Sequence, residues 1–474
     1  MTKLNILSSA VLALLVACGG GKVGTGLKAG GGVPPPPPNV TPDAPPGKSQ
    51  PARVVSVDEK KDYEGAMAAF KANDKAAWNE SSCRGSADRF AAVVRSHPKM
   101  VEAQFMVGLS FHRCNLMSDA EKAYQDAIRI KPNHGQSLSN LGEIYFRAGK
   151  VDGAKQYWDS AIKANGKLIA ARVNVASLEL EQMRKLAPQS PEWKKLEEDA
   201  RFNLSNVLGV DSDSVTAYTL YGLIYMEGFQ KNKNRLDLAK LLLDEAKKRN
   251  EKFAPLQNAY GLYYMHRNAL SEALQHFQAA VEANPKFVEA RMNVGLTTLG
   301  FRKYDTAKEQ FTQVVSLAPK QYDAYIGLGV ALRGLKDFDG AEAQYNAAQK
   351  LDSRRGEAYY NLAVLYKDFR ATKQEPQASI STYNKAKDYF RQFLDKPGAN
   401  PTDAAEAKEQ IALIDKTVTQ TQKFIQQMAN QPPSAPAPKP APGAAPGGAA
   451  PPPGGTPPAG GTPPPAGGAK PPKK

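Results

Sequence analysis

Cysteine is scarce in this chain: Cys18, Cys83 and Cys114 are the three thiols among 474 residues. That is too few for a disulfide scaffold or a Cys-rich zinc site. Histidine is nearly as rare, with five residues, His97, His112, His134, His266 and His276. None pairs at the HExxH spacing that zinc hydrolysis requires, so no metal and no cofactor are expected. A GxSxG nucleophile elbow is missing, and so is a glycine-rich nucleotide turn. Gly47-Lys48-Ser49 ends like a phosphate loop, but Pro42 stands at the first position of that motif and no strand precedes it. Neither catalysis nor a small-molecule substrate is expected. Concentrated charge is lacking too. Of the net +15, four charges fall in residues 1–53 and four beyond Gln431, which leaves about seven for the long middle. A nucleic-acid binder concentrates its charge more than this.

Long apolar runs are absent as well. Ala10-Val11-Leu12-Ala13-Leu14-Leu15-Val16 is the one notable stretch, and it is too short for a permanent membrane span. Preceded by Lys3, it reads as a secretory signal over residues 1–17. It ends Leu15-Val16-Ala17-Cys18, which resembles the lipobox of bacterial lipoproteins. The resemblance implies an acylated Cys18 as first mature residue, and Gly19 after it implies the outer membrane, facing the periplasm. Residues 18–56 are Gly-rich and then Pro-rich (Pro34 to Pro38 run together), a composition that cannot bury a core. They are expected to form an extended tether.

What the chain does have is a period. From Ala254 to Ser353 three blocks of 34 residues follow without a gap. Gly261, Ala273, Phe277, Ala280 and Pro285 occupy slots 8, 20, 24, 27 and 32 of the first. Gly295, Ala307, Phe311, Val314 and Pro319 fill those slots in the second, and Gly329, Ala341, Tyr345, Ala348 and Ser353 in the third. Small residues at slots 8 and 20 let two helices approach closely, the aromatic at slot 24 fills the space between them, and Pro at slot 32 stops the second helix. The pattern resembles the tetratricopeptide repeat (TPR), which implies an all-α superhelical solenoid of helix–turn–helix units. Gly327-Leu328-Gly329 then reads as helix packing rather than a nucleotide turn.

Elsewhere the register recurs at Gly108, Ala120, Tyr124, Ala127, Pro132 and at Gly142, Ala154, Trp158, Ala161. Repeats starting around Ala176, Gly222 and Ala363 carry inserts near Pro188–Pro191, Gly228–Arg235 and Arg370–Gln377. Val57–Ala72 and Ser86–His97 read as a degenerate first pair, with Cys83 in an insert between them. About nine repeats over residues 57–400 are expected, with inserts at the turn between the two helices. Cys83 and Cys114 then fall at adjacent turns along one edge, where a disulfide or two free thiols are both open. Residues 401–430 should form a capping helix, with Asp403 and Glu406 at its start. Its stripe Ala407, Ile411, Ile414, Val418, Ile425, Met428 fits either a cap packed on the last repeat or a coiled-coil strip for another protein. Residues 431–474 are a disordered Pro/Ala/Gly-rich tail by composition.

In TPR proteins the first helix of each repeat lines a groove. Asn140, Asn174, Asn293 and Asn361 all stand at slot 6 of that helix. They resemble the asparagine ladder with which some TPR proteins hold an extended peptide backbone, since an amide offers donor and acceptor together. The alternative is tolerated polar residues on a solvated face. Arg333 and Lys367 at slot 12 are too few for a carboxylate clamp. The layout as a whole resembles the TPR lipoprotein of the myxobacterial adventurous gliding motility machinery (GltE type). That implies a protein-binding scaffold or assembly factor, attached to the membrane by its N-terminal lipid, with envelope proteins or extended peptide segments as partners. A pilotin-like type IV pilus lipoprotein and a regulator of a cell-wall synthesis enzyme are the alternatives.

Overall fold

The computed structural model describes residues 56–76, 78–397 and 401–430. Cys18, the expected signal segment, the tether before Ser56 and the tail 431–474 lie outside the described residues. Every regular element among the described residues is helical, and none of the helices is long and apolar enough to cross a membrane. The chain divides into two units, Met1–Gln422 and Lys423–Lys474.

Among its described residues the first unit is built from nine helix–turn–helix repeats. Repeat 1 pairs α1 (Val57–Lys75) with α2 (Glu80–Ser96), repeat 2 α3 (Val101–Arg113) with α4 (Met117–Ile130), and repeat 3 α5 (Gly135–Arg147) with α6 (Val151–Ala164). Repeat 4 pairs α7 (Ile169–Met183) with α8 (Pro191–Val210), repeat 5 α9 (Val215–Met226) with α10 (Asn234–Arg249), and repeat 6 α11 (Ala254–His266) with α12 (Leu270–Ala283). Repeat 7 joins α13 (Val288–Gly300) to α14 (Tyr304–Leu317), repeat 8 α15 (Tyr322–Gly334) to α16 (Phe338–Leu351), and repeat 9 α17 (Glu357–Val364) to α18 (Pro376–Leu394). A final helix, α19 (Pro401–Ala429), begins in the first unit, and its last two turns belong to the second, where Phe424 and Met428 are exposed.

Local chemistry sets the boundaries. Turns between repeats begin with Asn165, Asp211, Asn250, Asn284 or Asp352, each accepting the N–H two residues on. Turns within repeats share another device. Asn115, Gly149, Asn268, Arg302 and Lys336 all stand at slot 15, and all have φ between 57° and 75°. The tight turn demands a left-handed residue there whatever the side chain.

Slots 8, 20, 24 and 27 form the core. Phe311 is wedged between two first helices: a Cβ added to Gly295 would lie 2.7 Å from its Cζ, and one added to Gly327 of the next repeat would collide with the same ring. Buried clusters pass from repeat to repeat, and the largest joins repeats 7–9 to α19. Ala407 and Ile414 are buried in it, with Ile411 and Val418 packed alongside. Up to Val418 the stripe is therefore a cap.

Two expected inserts differ. Residues 370–377 are not a plain loop. The first helix of repeat 9 continues through a π-helical stretch, Leu365–Arg370, and a 3-10 turn, Ala371–Lys373, which absorb extra residues without breaking the helix. Cys83 is not in an insert either. Asn79 caps α2 and exchanges bonds with Ser82, so the helix starts early and Cys83 lies buried in its first turn. There it forms a disulfide with Cys114, at a Cα–Cα distance of 6.2 Å, stapling repeat 1 to repeat 2.

Candidate functional site

A cleft of about 480 Å³ opens between the first helices of repeats 3, 4 and 5. Glu143, Phe146 and Arg147 line it from α5, Asn174, Ser177 and Glu181 from α7, and Leu220 and Leu223 from α9, with Trp158 of α6 at its floor. Its charges are largely spent on one another. Arg147 donates to Glu143 at 2.5 Å, and Arg184 donates to Glu227 at 2.7 Å. His112, 3.7 Å from Glu143, and Arg147 hold that carboxyl down at about 2, so it is an anion at any physiological pH. What is left is a half-buried apolar surface and an amide. The Asn174 side chain makes no hydrogen bond to any of the described residues, whereas Ser177 returns its hydroxyl to the Val173 carbonyl.

The other three slot-6 asparagines do not match it. Asn140 donates to the Tyr124 hydroxyl at 2.9 Å. Asn293, which a ladder needs at the surface, is only 6% exposed and donates to Asn258 Oδ1 at 2.8 Å. Asn361 donates to the Glu357 carbonyl and accepts from Arg333 at 3.3 Å. The expectation of four free groove amides is corrected to one. The reason is positional: each slot-6 asparagine follows the slot-24 aromatic of the preceding repeat by 16 residues, as Asn140 follows Tyr124. Slot 6 therefore lies near the junction between repeats, where a side chain of the preceding repeat can engage the amide, as Tyr124, Asn258 and Arg333 do. Arg333 is likewise engaged by Asn361, and Lys367 pairs with Asp368.

The histidines serve the fold. His97 bonds Asp62, and His134 caps α5 through Ser137. His266 and His276 are half-buried against aromatic rings. His266 packs 4.4 Å from the Phe229 ring, while His276 lies stacked between Tyr260 and Tyr264 at 5.1 Å from each. Burial lowers the pKa of both. Among the described residues no group of His, Cys, Asp or Glu side chains is arranged to hold a metal.

On the opposite side of α7 lies a second cleft, of about 280 Å³, between α6, α7 and α8. It contains Glu179, which is 3% exposed and whose carboxyl burial pushes up to about 7. Nothing in the sequence singled this residue out. It stands at slot 11 of a helix, and its burial comes from the long α8 that follows the insert of repeat 4.

A family model for the tetratricopeptide repeat matches residues 75–135, 118–167, 230–286 and 295–358. Among solved structures the chain is similar to a thermophilic TPR protein of Thermus thermophilus, at 21% identity over 42% of this chain and 99% of that one, with a TM-score of 0.35. It is also similar to PilF of Pseudomonas aeruginosa, at 18% identity over 50% of this chain and 98% of that one, TM-score 0.37. A third is YrrB, described as a TPR protein with an unusual peptide-binding site, at 23% identity over 42% and 95%, TM-score 0.29. No curated protein matches. The chain carries tetratricopeptide repeats, and its fold is the TPR solenoid.

Proposed function

We propose that this chain is a non-catalytic protein-binding scaffold that holds an extended segment of a partner in the Asn174 cleft. The observation that carries the reading is the cleft's chemistry. Phe146, Leu220 and Leu223 offer apolar surface. Asn174 can both donate to and accept from a peptide group without regard to the side chains around it. Leu15-Val16-Ala17-Cys18 supports the second part of the proposal, a lipid anchor that ties the scaffold to the outer membrane and its partners to the envelope. The layout of lipobox, Pro-rich tether, repeats and Pro/Ala/Gly tail favours the gliding motility machinery as the assembly served, ahead of a pilus or a cell-wall enzyme.

The test is affinity purification of the full chain from membranes, with co-purified proteins identified by mass spectrometry. Asn174→Arg should cut partner recovery at least tenfold with an unchanged melting temperature. Equal recovery would remove the cleft from the proposal. Cys18→Ala should leave precursor or soluble protein in place of membrane-bound protein, and unchanged membrane attachment would remove the anchor.

A further inference from the structure

We infer that the cleft between α6, α7 and α8 is a second, independent binding site, which takes a lysine side chain of a partner protein. The argument starts from unbalanced charge. Glu179 is buried, yet among the described residues its one hydrogen bond is a 3.5 Å contact from Asn203 Nδ2 to Oε2, and Oε1 has no donor. A buried carboxylate with so little support is costly to keep in a fold.

The cations nearby are committed elsewhere. Lys155 of α6 donates to Asp159 of the same helix at 2.9 Å. Arg172, on the same helix as Glu179, also lines the cleft with its guanidinium 5.9 Å from the Phe202 ring centroid, but it donates to the Gly166 carbonyl at 2.8 Å and to Asn203 Oδ1 at 3.0 Å rather than to Glu179. Asp199 of α8 also lines the cleft and pairs with no cation among the described residues. Two carboxylates thus converge on a space whose lining cations are already engaged.

The mouth is apolar. Phe202 lines it at 64% exposure. At the same slot, repeats 2, 3 and 7 have Lys122, Gln156 and Glu309. A lysine matches both parts, its aliphatic stem lying along the Phe202 ring and its ammonium reaching Glu179 and Asp199. The volume, about 280 Å³, falls below that of drug-sized ligand sites, about 300–1,000 Å³, and suits one side chain. Binding a cation there ionises Glu179 and releases its proton, so affinity rises with pH. The groups facing Glu179 are Lys155 and Asp159 from α6, Asp199 and Asn203 from α8, and Arg172 on its own helix.

The experiment is a ligand-observed NMR titration of the full chain with Nα-acetyl-lysine methylamide and its uncharged norleucine counterpart. At pH 8 the lysine amide should bind at least tenfold tighter, with the preference falling to within about twofold at pH 5.5. Glu179→Gln should abolish the preference at pH 8. Equal binding of the two amides at pH 8, a preference that does not change with pH, or one that survives in Glu179→Gln would overturn the proposal. Should that variant fail to fold, Phe202→Ala decides, since its side chain is exposed: lysine-amide binding must weaken there, and unchanged binding overturns the proposal.

Discussion

Asn140 donates its amide to the Tyr124 hydroxyl at 2.9 Å, whereas the equivalent pair later in the chain, Asn361 and Tyr345, makes no such bond. Arg333 and the Glu357 carbonyl hold Asn361 instead, and the Tyr345 hydroxyl is left buried without a partner among the described residues. Opposite mutational signs follow for the two equivalent pairs. Asn140→Ala should cost about 1–2 kcal/mol, because it leaves a buried hydroxyl short of its donor. Tyr345→Phe should be neutral or gain up to about 1 kcal/mol. Denaturant unfolding of the two variants measures this, and a loss in Tyr345→Phe as large as in Asn140→Ala would contradict the assignment.

Asn293 yields a second prediction. Its amide is buried against Asn258, so Asn293→Ala should destabilise the junction of repeats 6 and 7 by about 1–3 kcal/mol. Asn174→Ala, which breaks no internal bond, should leave stability within about 0.5 kcal/mol of wild type. Melting temperatures of the two single variants separate the structural asparagine from the available one.

Slot 15 gives a third. Lys336 at φ 66° carries a strain that glycine would not, so Lys336→Gly should raise stability by a few tenths to about 1 kcal/mol. Gly149→Ala, at φ 75° in the same slot, should lower it by about 1 kcal/mol. Thermal unfolding of both variants checks the sign.

The pH dependence is the fourth. Glu179 titrates at about 7 in the fold and near 4.5 when unfolded. Between those values the folded chain holds a proton that the unfolded chain has released, so stability falls as pH rises through the window. The contribution is on the order of 3 kcal/mol. Glu143, held at about 2, acts with the opposite sign and below it: its contribution is lost only as pH falls from about 4.5 through 2. The two windows do not overlap. Hydrogen exchange of α7 as a function of pH should therefore show a slope between pH 5 and 7 that Glu179→Gln removes.

Much of the fold was legible because each repeat obeys the same few steric demands. A small residue at slot 8 and a large one at slot 24 can be found by counting, as Gly295 and Phe311 show. Counting also reached slot 6 but misjudged what it does. Whether its amide is free depends on what stands at slot 24 of the repeat before, and on whether a third residue such as Arg333 competes for it. Those are relations across a junction, and a list of positions within one repeat does not contain them. The capping stripe was legible, and of its two readings the packing of Ala407 and Ile414 supports the cap. Ile414 at 1% exposure is core, so Ile414→Glu would unseat the cap rather than probe a docking strip. Glu179 was invisible for another reason: an ordinary polar letter on a helix became a buried carboxyl only when α8 packed over it.

The disulfide gives the molecule a mechanical asymmetry. A pull applied at Ser56 loads repeat 1 first. In a stack whose units touch only their neighbours, such a load would peel helices away one at a time. Here extension can release α1 and the residues up to Cys83, and then the covalent link passes the force to Cys114. The segment between the two cysteines, which are 31 positions apart, contributes no slack. The chain beyond them is loaded from inside repeat 2 rather than from its frayed end.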